Sequence, residues 1–540
     1  MADKSAVETI KLDSQRLRGT LGEGLADPAT GAVADADTVI TKFHGIYQQD
    51  DRDQPQQWRA LDTIANGIAN GSIRLTSRQA VQFHGVAKED LRALIRRIDA
   101  VLMDSLAACG DVNRNVMCHV QPEAGPAHAR ALAWANRLSA HLTPRTRAWR
   151  EIFVDGQRID NGRIAGGEPH DVEPVYGRAY LPRKFKIAVA MPPVNDVDIY
   201  TQDLGFIAIA EGDRITGFNV AVGGGMGCSH GEPETFPRLA DVIGFIRPRD
   251  LLDVAEAVVT IQRDYGDRDN RKHARFKYTL EDLGLERFRR ELEWRARTTL
   301  QPPRAFTFEH SGDRYGWTKQ TDGRWQLTVF VENGRLLPAH RRGLEPIVRQ
   351  YASDLRLTPN QNLVIAGVAA ADRGAVDALV DDAGLGSQRQ ASPLRLRSMA
   401  CVALPTCGMA MAEAERYLPA LITRIEELAA RHGLAEQAIT VRMSGCPNGC
   451  SRPYLGEIGF VGRAPGRYNM YLGAAVDGSR LNRLYLDNVD EATILEHIDN
   501  LFERFAAERH NGEAFGEYVI RAGIVAAVEH GRDVHGVPAT

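Results

Sequence analysis

Cysteine is scarce in this chain: seven residues in 540, an odd number. That excludes a disulfide framework as the source of stability and leads us to expect a reducing, cytoplasmic setting. An excess of one charge is also missing. With 66 basic and 70 acidic side chains the formal net charge is -4, so no general nucleic-acid or membrane partner is expected, although a local basic pocket stays open. No apolar run reaches the roughly 20 residues of a membrane span. The N-terminus, "MADKSAVETIKLDSQRLRG", lacks the apolar centre of a signal peptide. What is present is ordinary for globular protein, 44% apolar and 25% charged, and the length implies three or four domains rather than one core.

The few cysteines are unevenly placed. Cys109, Cys118 and Cys228 are scattered, whereas "ACVALPTC" holds Cys401 and Cys407, and "SGCPNGC" holds Cys446 and Cys450. Between the pairs, Leu418, Ile422, Ile425 and Leu428 recur at helical spacing up to Gly433, and "AITVRM" reads as a strand. A helix and a returning strand could bring the pairs together. Four thiolates suit an iron–sulfur cluster. Structural zinc, which prefers closer pairs, and four buried thiols acting as small apolar side chains are the rival readings.

The chain also repeats itself. "SIRLTSRQAVQFHGV" (72–86) aligns without gaps to "DLRLTPNQNLVIAGV" (354–368), and "KFKIAVAMPPVND…LGFIAIA" (184–210) parallels "ITVRMSGCPNGC…IGFVGRA" (439–464) in the same order. Two related halves are therefore expected. Alternation puts Ile73 and Leu75 on one strand face and Arg74 on the other, and puts Lys184 and Lys186 on one face with Phe185 and Ile187 opposite. Taken alone, such lysines read as a solvated face.

"ACVALPTC", "MAEAERYLP", "SGCPNGC" and "GRAPGRYNMYLG", together with "KFHGIYQQDDRD" (42–53), "GSIRLTSRQAVQFHG" (71–85), "DVNRNVMC" (111–118), "YLPRKFKIAV" (180–189) and "FGEYVIRAGI" (515–524), resemble the hemoprotein (beta) subunits of NADPH-type sulfite reductase, within the siroheme/[4Fe-4S] sulfite and nitrite reductase family. The likeness runs along nearly the whole chain. It implies that Cys401, Cys407, Cys446 and Cys450 hold one [4Fe-4S] cluster and that Cys450 is also the axial ligand of siroheme iron. It implies siroheme contacts from Arg74, Arg78, Gln82, His84, Lys272, Arg275, Lys277 and Asn448. It casts Arg114, Lys184 and Lys186 as the cations that bind and protonate substrate.

The chemistry fits those residue types. Siroheme carries eight carboxylates, and a buried anion needs cationic partners. Sulfite reduction takes six electrons and releases three oxygens as water, so protons must reach a bound anion. A crowded lysine can supply them, whereas an arginine stays charged and clamps. "GGGMG" (223–227) lacks the strand-to-helix setting of a dinucleotide fingerprint and reads as backbone approaching a cofactor. With no flavin or nicotinamide site in view, the resemblance implies a flavoprotein (alpha) partner carrying FAD and FMN, docked through an N-terminal arm.

One part of the repeat is out of place. "RWQLTVFVENGRL" (324–336) is a strand preceding a helix in the second half, whereas the polar "QQDDRDQPQ" (48–56) precedes "QWRALDTIANGIA" in the first. The family continues there with a strand carrying a substrate-clamp arginine and a Pro-Gly-Gly turn. The first half is therefore expected to lack that strand. Gly408, where the family often has Pro, and Ala474, where it usually has a second Gly, are smaller departures.

The expected fold is α+β, a pseudo-two-fold duplication. It comprises an N-terminal arm (1–53), a domain of two ferredoxin-like half-repeats (54–108 and 307–385), a first siroheme-binding domain (109–306) and a [4Fe-4S] and siroheme-binding domain (386–540). The expected function is six-electron reduction of sulfite to hydrogen sulfide in cysteine biosynthesis. The alternatives are a ferredoxin-dependent sulfite or nitrite reductase, and a weakly active or inactive cofactor-binding partner.

Overall fold

The computed structural model describes residues 38–41, 54–105, 107–108, 110–120, 125–145, 152–154, 157–160, 163–164 and 172–536. The arm other than 38–41, the 42–53 motif and Cys109 lie outside the described residues.

Two small sheets carry the half-repeats. In the first half, β1 (Thr38–Thr41), α1 (Gln54–Gly67), β2 (Ile73–Leu75), β3 (Val81–His84) and α2 (Leu91–Asp99) follow one another. After the intervening domain come β12 (Gly316–Lys319), β13 (Trp325–Val329), β14 (Arg335–Leu336), α7 (Pro338–Gln350), β15 (Asp354–Leu357), β16 (Leu363–Val368) and α8 (Arg373–Asp382). The strand orders are β1-β3-β2-β14 and β12-β13-β16-β15. The "RLT" turns are built alike: Gln79 and Gln361 both take positive φ, 54° and 68°. In each, the backbone closes through Thr76 and Ala80 or through Thr358 and Asn362. Both halves share one apolar core, with Trp58, Leu61 and Ile64 of α1 packed together with Leu344 and Ile347 of α7.

The expectation of a strandless first half needs correction. Residues Thr38–Thr41 pair antiparallel with β3, and Thr41 meets Val81 as Val329 meets Leu363 in the second half. A polar segment cannot fill a sheet, but the β-branched "TVIT" just upstream can. This strand, inside the expected arm, carries no arginine.

Two five-stranded sheets form the other domains. The first contains β4 (Asn113–Cys118), β8 (Phe185–Ala190), β9 (Leu204–Glu211), β10 (Arg214–Val222) and β11 (Asp241–Ile246), with α3 (Pro126–Leu142) and α4 (Leu251–Tyr265) packed on it. Three short strands, β5 (Ile152–Val154), β6 (Gln157–Asp160) and β7 (Arg163–Ile164), lie between α3 and β8 as a separate sheet. Helices α5 (Phe276–Leu283) and α6 (Leu285–Ala296) follow β11 and α4. The second sheet contains β17 (Ser398–Ala400), β18 (Val441–Ser444), β19 (Ile458–Ala464), β20 (Arg467–Leu472) and β21 (Arg483–Val489). Both run parallel, parallel, antiparallel, antiparallel. The helix foreseen from its spacing is α9 (Leu418–Arg431), with Leu418, Ile422, Ile425 and Leu428 buried. Gly433 ends it at φ 69°. Helices α10 (Glu491–Glu508) and α11 (Phe515–Arg521) complete this core.

Candidate active site

The cysteine pairs converge as the intervening helix and strand require. Cys401 follows β17 and Cys446 follows β18, and these strands are parallel neighbours. The backbone N–H of Gly445 donates to Cys401 Sγ at 3.2 Å. The four thiols lie close enough to perturb one another. Burial, and secondarily the Cys450 thiol, push Cys401 up to about 12 and Cys446 higher still. Protonated thiols so crowded become ligands only when iron displaces their protons. Among the described residues no three His, Cys, Asp or Glu side chains converge on a single metal ion. A four-iron cube spreads its ligands over several irons instead.

Cys450, exposed, stands on the wall of a cavity of about 370 Å³. Eight of the lining side chains are Arg or Lys and none is Asp or Glu. A polycarboxylate macrocycle with Cys450 at its metal suits such a wall. Two guanidinium nitrogens, Arg78 Nε and Arg275 Nε, are buried there with no protein partner.

The sequence-predicted residues divide. Arg78, Lys184, Lys186, Lys272, Arg275 and Asn448 line the cavity. Arg78 donates to Gln202 Oε1 at 3.0 Å and to the Asn115 carbonyl at 2.6 Å. Arg275 pairs with fully buried Asp203 at 3.0 Å, whose carboxylate also accepts the Lys186 backbone N–H at 2.9 Å. Lys272 is paired with Glu232. Lys186 is held well below the ordinary lysine value, first by burial and then by Arg78, Lys184 and Arg275. That favours giving up a proton.

Arg74, Gln82, His84 and Arg114 do not line this cavity. Arg74 is buried against Glu415 and donates to the Ala400 carbonyl at 2.9 Å, next to Cys401. Gln82 sits in β3, paired through its backbone with Arg74 and Ile40. His84 accepts from Arg335 at 3.0 Å, and burial, with Arg335 and Arg74 nearby, pushes it down to about 2. Arg114 donates to the Gly110 and Ala108 carbonyls at 3.2 and 2.9 Å. Lys277 does not line the cavity either: its amine is fully buried and donates to the carbonyls of Gly225, Gly227 and Phe236.

Sequence reasoning missed Arg452, Arg183 and Asp203. Arg452 lines the cavity at φ 56° and pairs with Asp198, itself at φ 45°. It also donates to the carbonyls of Ser77 and Pro359, one in each half-repeat turn, at 3.1 and 3.0 Å. Asp198 and Arg452 each stand eleven residues after the equivalent residues Ile187 and Val441, a signal the internal repeat contained.

Two family models match. The nitrite/sulfite reductase ferredoxin-like half domain covers residues 52–101 and 318–383, and the nitrite and sulphite reductase 4Fe-4S domain covers 133–300. The curated sulfite reductase [NADPH] hemoprotein beta-component of Myxococcus xanthus is 52% identical over 552 residues, covering 96% of this chain and 97% of its own. The chain belongs to this family of sulfite reductase hemoproteins. The Chromohalobacter salexigens protein of the same description is 50% identical over 560 residues, covering 98% of this chain and 97% of its own. Both alignments are longer than the 540-residue chain, so these relatives carry residues with no counterpart here. The structure of the Mycobacterium tuberculosis NirA protein shares the fold, with TM-score 0.73 and 24% identity over 93% of this chain and 87% of that one. The family carries siroheme and a [4Fe-4S] cluster. The 4Fe-4S model matches the half around the first large sheet, whereas Cys401 to Cys450 lie beyond residue 300, in the second.

Proposed function

We propose that this chain is the hemoprotein component of an NADPH-dependent sulfite reductase and converts sulfite to hydrogen sulfide. The observation that carries the reading is the acid-free, cation-lined cavity with Cys450 on its wall, next to three further thiols. In it, Arg78, Arg275 and Lys272 would hold siroheme carboxylates, and Cys401, Cys407, Cys446 and Cys450 would hold the cluster. The bound cofactors supply electrons to the substrate sulfur. The protein's own part is electrostatic and protic. Lys184 and Lys186 attract the anion and deliver protons to its oxygens, and the low proton affinity of Lys186 suits it to that task. Arg114, anchored on two carbonyls behind the wall, would need to swing toward the cavity to clamp substrate.

The relatives' description as a beta-component supports a partner, and in this reading NADPH electrons enter through a flavoprotein carrying FAD and FMN, in the cytoplasm. The test is direct. Purified protein should show a siroheme visible spectrum, contain iron and acid-labile sulfide, and release sulfide from sulfite with a reduced dye as donor. Protein that carries both cofactors yet yields no sulfide would instead be a binding partner without turnover, in keeping with a β1 strand that lacks an arginine. Turnover with reduced ferredoxin but not with the flavoprotein would move the chain to the ferredoxin-dependent branch.

A further inference from the structure

The amine of Lys277 is fully buried, and its hydrogen-bond partners are all backbone carbonyls. It donates to Gly225 O at 3.2 Å, to Gly227 O at 2.9 Å and to Phe236 O. Two of these belong to the glycine-rich strap 223–227. The strap is pinned at its middle by a reciprocal pair between Gly225 and Arg238, 2.8 and 2.9 Å. Beyond Lys277 it lies flat on the turn that carries two of the cluster cysteines. The Cys228 N–H donates to Pro447 O at 2.9 Å. A Cβ on Gly227 would stand 3.3 Å from Asn448 O, and one on Gly449 would stand 3.4 Å from Met226 O. The glycines therefore allow two backbones to touch along the segment between Cys446 and Cys450. A buried ammonium is costly unless several acceptors surround it, so a lysine kept at full burial for three carbonyls implies a strap whose placement matters.

We propose that Lys277 is a positioning residue for the iron–sulfur centre: it tethers the 223–228 strap, and the strap clamps the Cys446–Cys450 turn in the geometry that holds the cluster. This rests on the reading that those cysteines hold a cluster. The residue acts through the strap, by its bonds to Gly225 and Gly227.

The experiment compares the wild-type holoprotein with Lys277→Met, which keeps length and removes the donors. The readouts are iron and acid-labile sulfide per chain, the electron paramagnetic resonance signal of the reduced cluster, and the rate at which an iron chelator strips the protein. Loss of outer-shell support for a metal ligand typically costs about 10- to 100-fold in metal retention, so stripping should quicken about tenfold or more and the cluster signal should shift. Arg341→Met is the control for general destabilisation, because Arg341 is equally buried but bonded to Asp62, Asn66 and Gly71 in the half-repeat core. It should lower the melting temperature and leave cluster retention unchanged.

Lys277→Met protein that folds with native iron, native signal and native stripping rate overturns the proposal. So does Arg341→Met protein that loses iron equally fast. If Lys277→Met does not fold, Gly227→Ala decides, since its methyl presses on Asn448 from the strap side: a shifted cluster signal supports the clamp and an unchanged one removes it. Wild-type protein free of iron and sulfide would overturn the cluster reading itself.

Discussion

The two large sheets have the same strand order and directions, yet each keeps a different half of one site. Register makes the comparison residue by residue. Cys118 pairs with Val189 as Ala400 pairs with Met443, so His119 and Cys401, each one residue on, hold equivalent places. Asp196 and Cys450 each stand nine residues beyond the equivalent Ile187 and Val441. In the second half these places hold cysteines. In the first they hold His119 and Asp196, buried and bonded at 2.7 Å. Pro192 takes the place of Cys446.

The cations are distributed the other way. Arg78 and Lys186 of the first half correspond to Asn360 and Thr440 of the second, which line a cavity of only about 20 Å³ against about 370 Å³. A duplicated scaffold has thus diverged, with most of the cavity's cations in one copy, Arg452 excepted, and the four clustered thiols in the other. The 4Fe-4S family model matches 133–300, around the first of these sheets, which has the same strand order and directions as the sheet that carries the cysteine quartet.

The comparison can be broken most severely at Cys450. Cys450→Ser should abolish cluster–siroheme coupling and most siroheme binding, read from the visible spectrum and iron content. The mirror change, His119→Cys with Asp196→Cys, should add no iron, because Pro192 still occupies the third place; extra iron and sulfide would refute the equivalence. Next comes Lys186→Met. Removing one preorganised cation from a desolvated site costs about 3 kcal/mol, roughly a hundredfold in turnover, and the cofactor spectrum should be unchanged. A loss of cofactor instead would mean that Lys186 holds siroheme rather than substrate.

Asp196→Asn, in the half without thiols, should leave iron content alone and cost about 1–3 kcal/mol of stability through its buried partner His119, measured by chemical denaturation. Inserting an arginine-bearing strand with its Pro-Gly-Gly turn after Asp53 should not raise the melting temperature, because Thr38–Thr41 already covers the β3 edge; a higher melting temperature would show that edge to be open. A further effect concerns pH. Burial lowers Lys277 to about 7 from the ordinary 10.5. Between those values the folded chain binds fewer protons than the unfolded one, so stability rises as pH climbs through the window and is flat below it. Lys277→Met should flatten that part of the rise in denaturation curves taken from pH 7 to 10.

Much was legible before any fold was known. The cysteine spacing, the helical period from Leu418 to Leu428 and the "RLT" repeats are local patterns, and local patterns survive into structure because they reflect backbone geometry. The strand of the first half is hidden in the sequence because 48–56, next to the helix, is polar. A strand needs only to reach its partner, and "TVIT" does so from farther upstream. The surroundings of Lys277 were not legible, because the three carbonyls that accept from its amine come from segments about forty and fifty residues away.

The sequence by itself determined the duplication, the four clustered thiols and the placing of Lys184 and Lys186 on one strand face, since each depends on order and spacing along one segment. Only the tertiary structure decided which cations share a wall. Arg78, Lys186, Arg275 and Arg452 come from four separate segments and meet because two sheets and two turns pack around a common axis, with Arg452 capping a carbonyl from each half. Burial, and with it the proton affinity of a lysine, is a property of that packing and of no single stretch of chain.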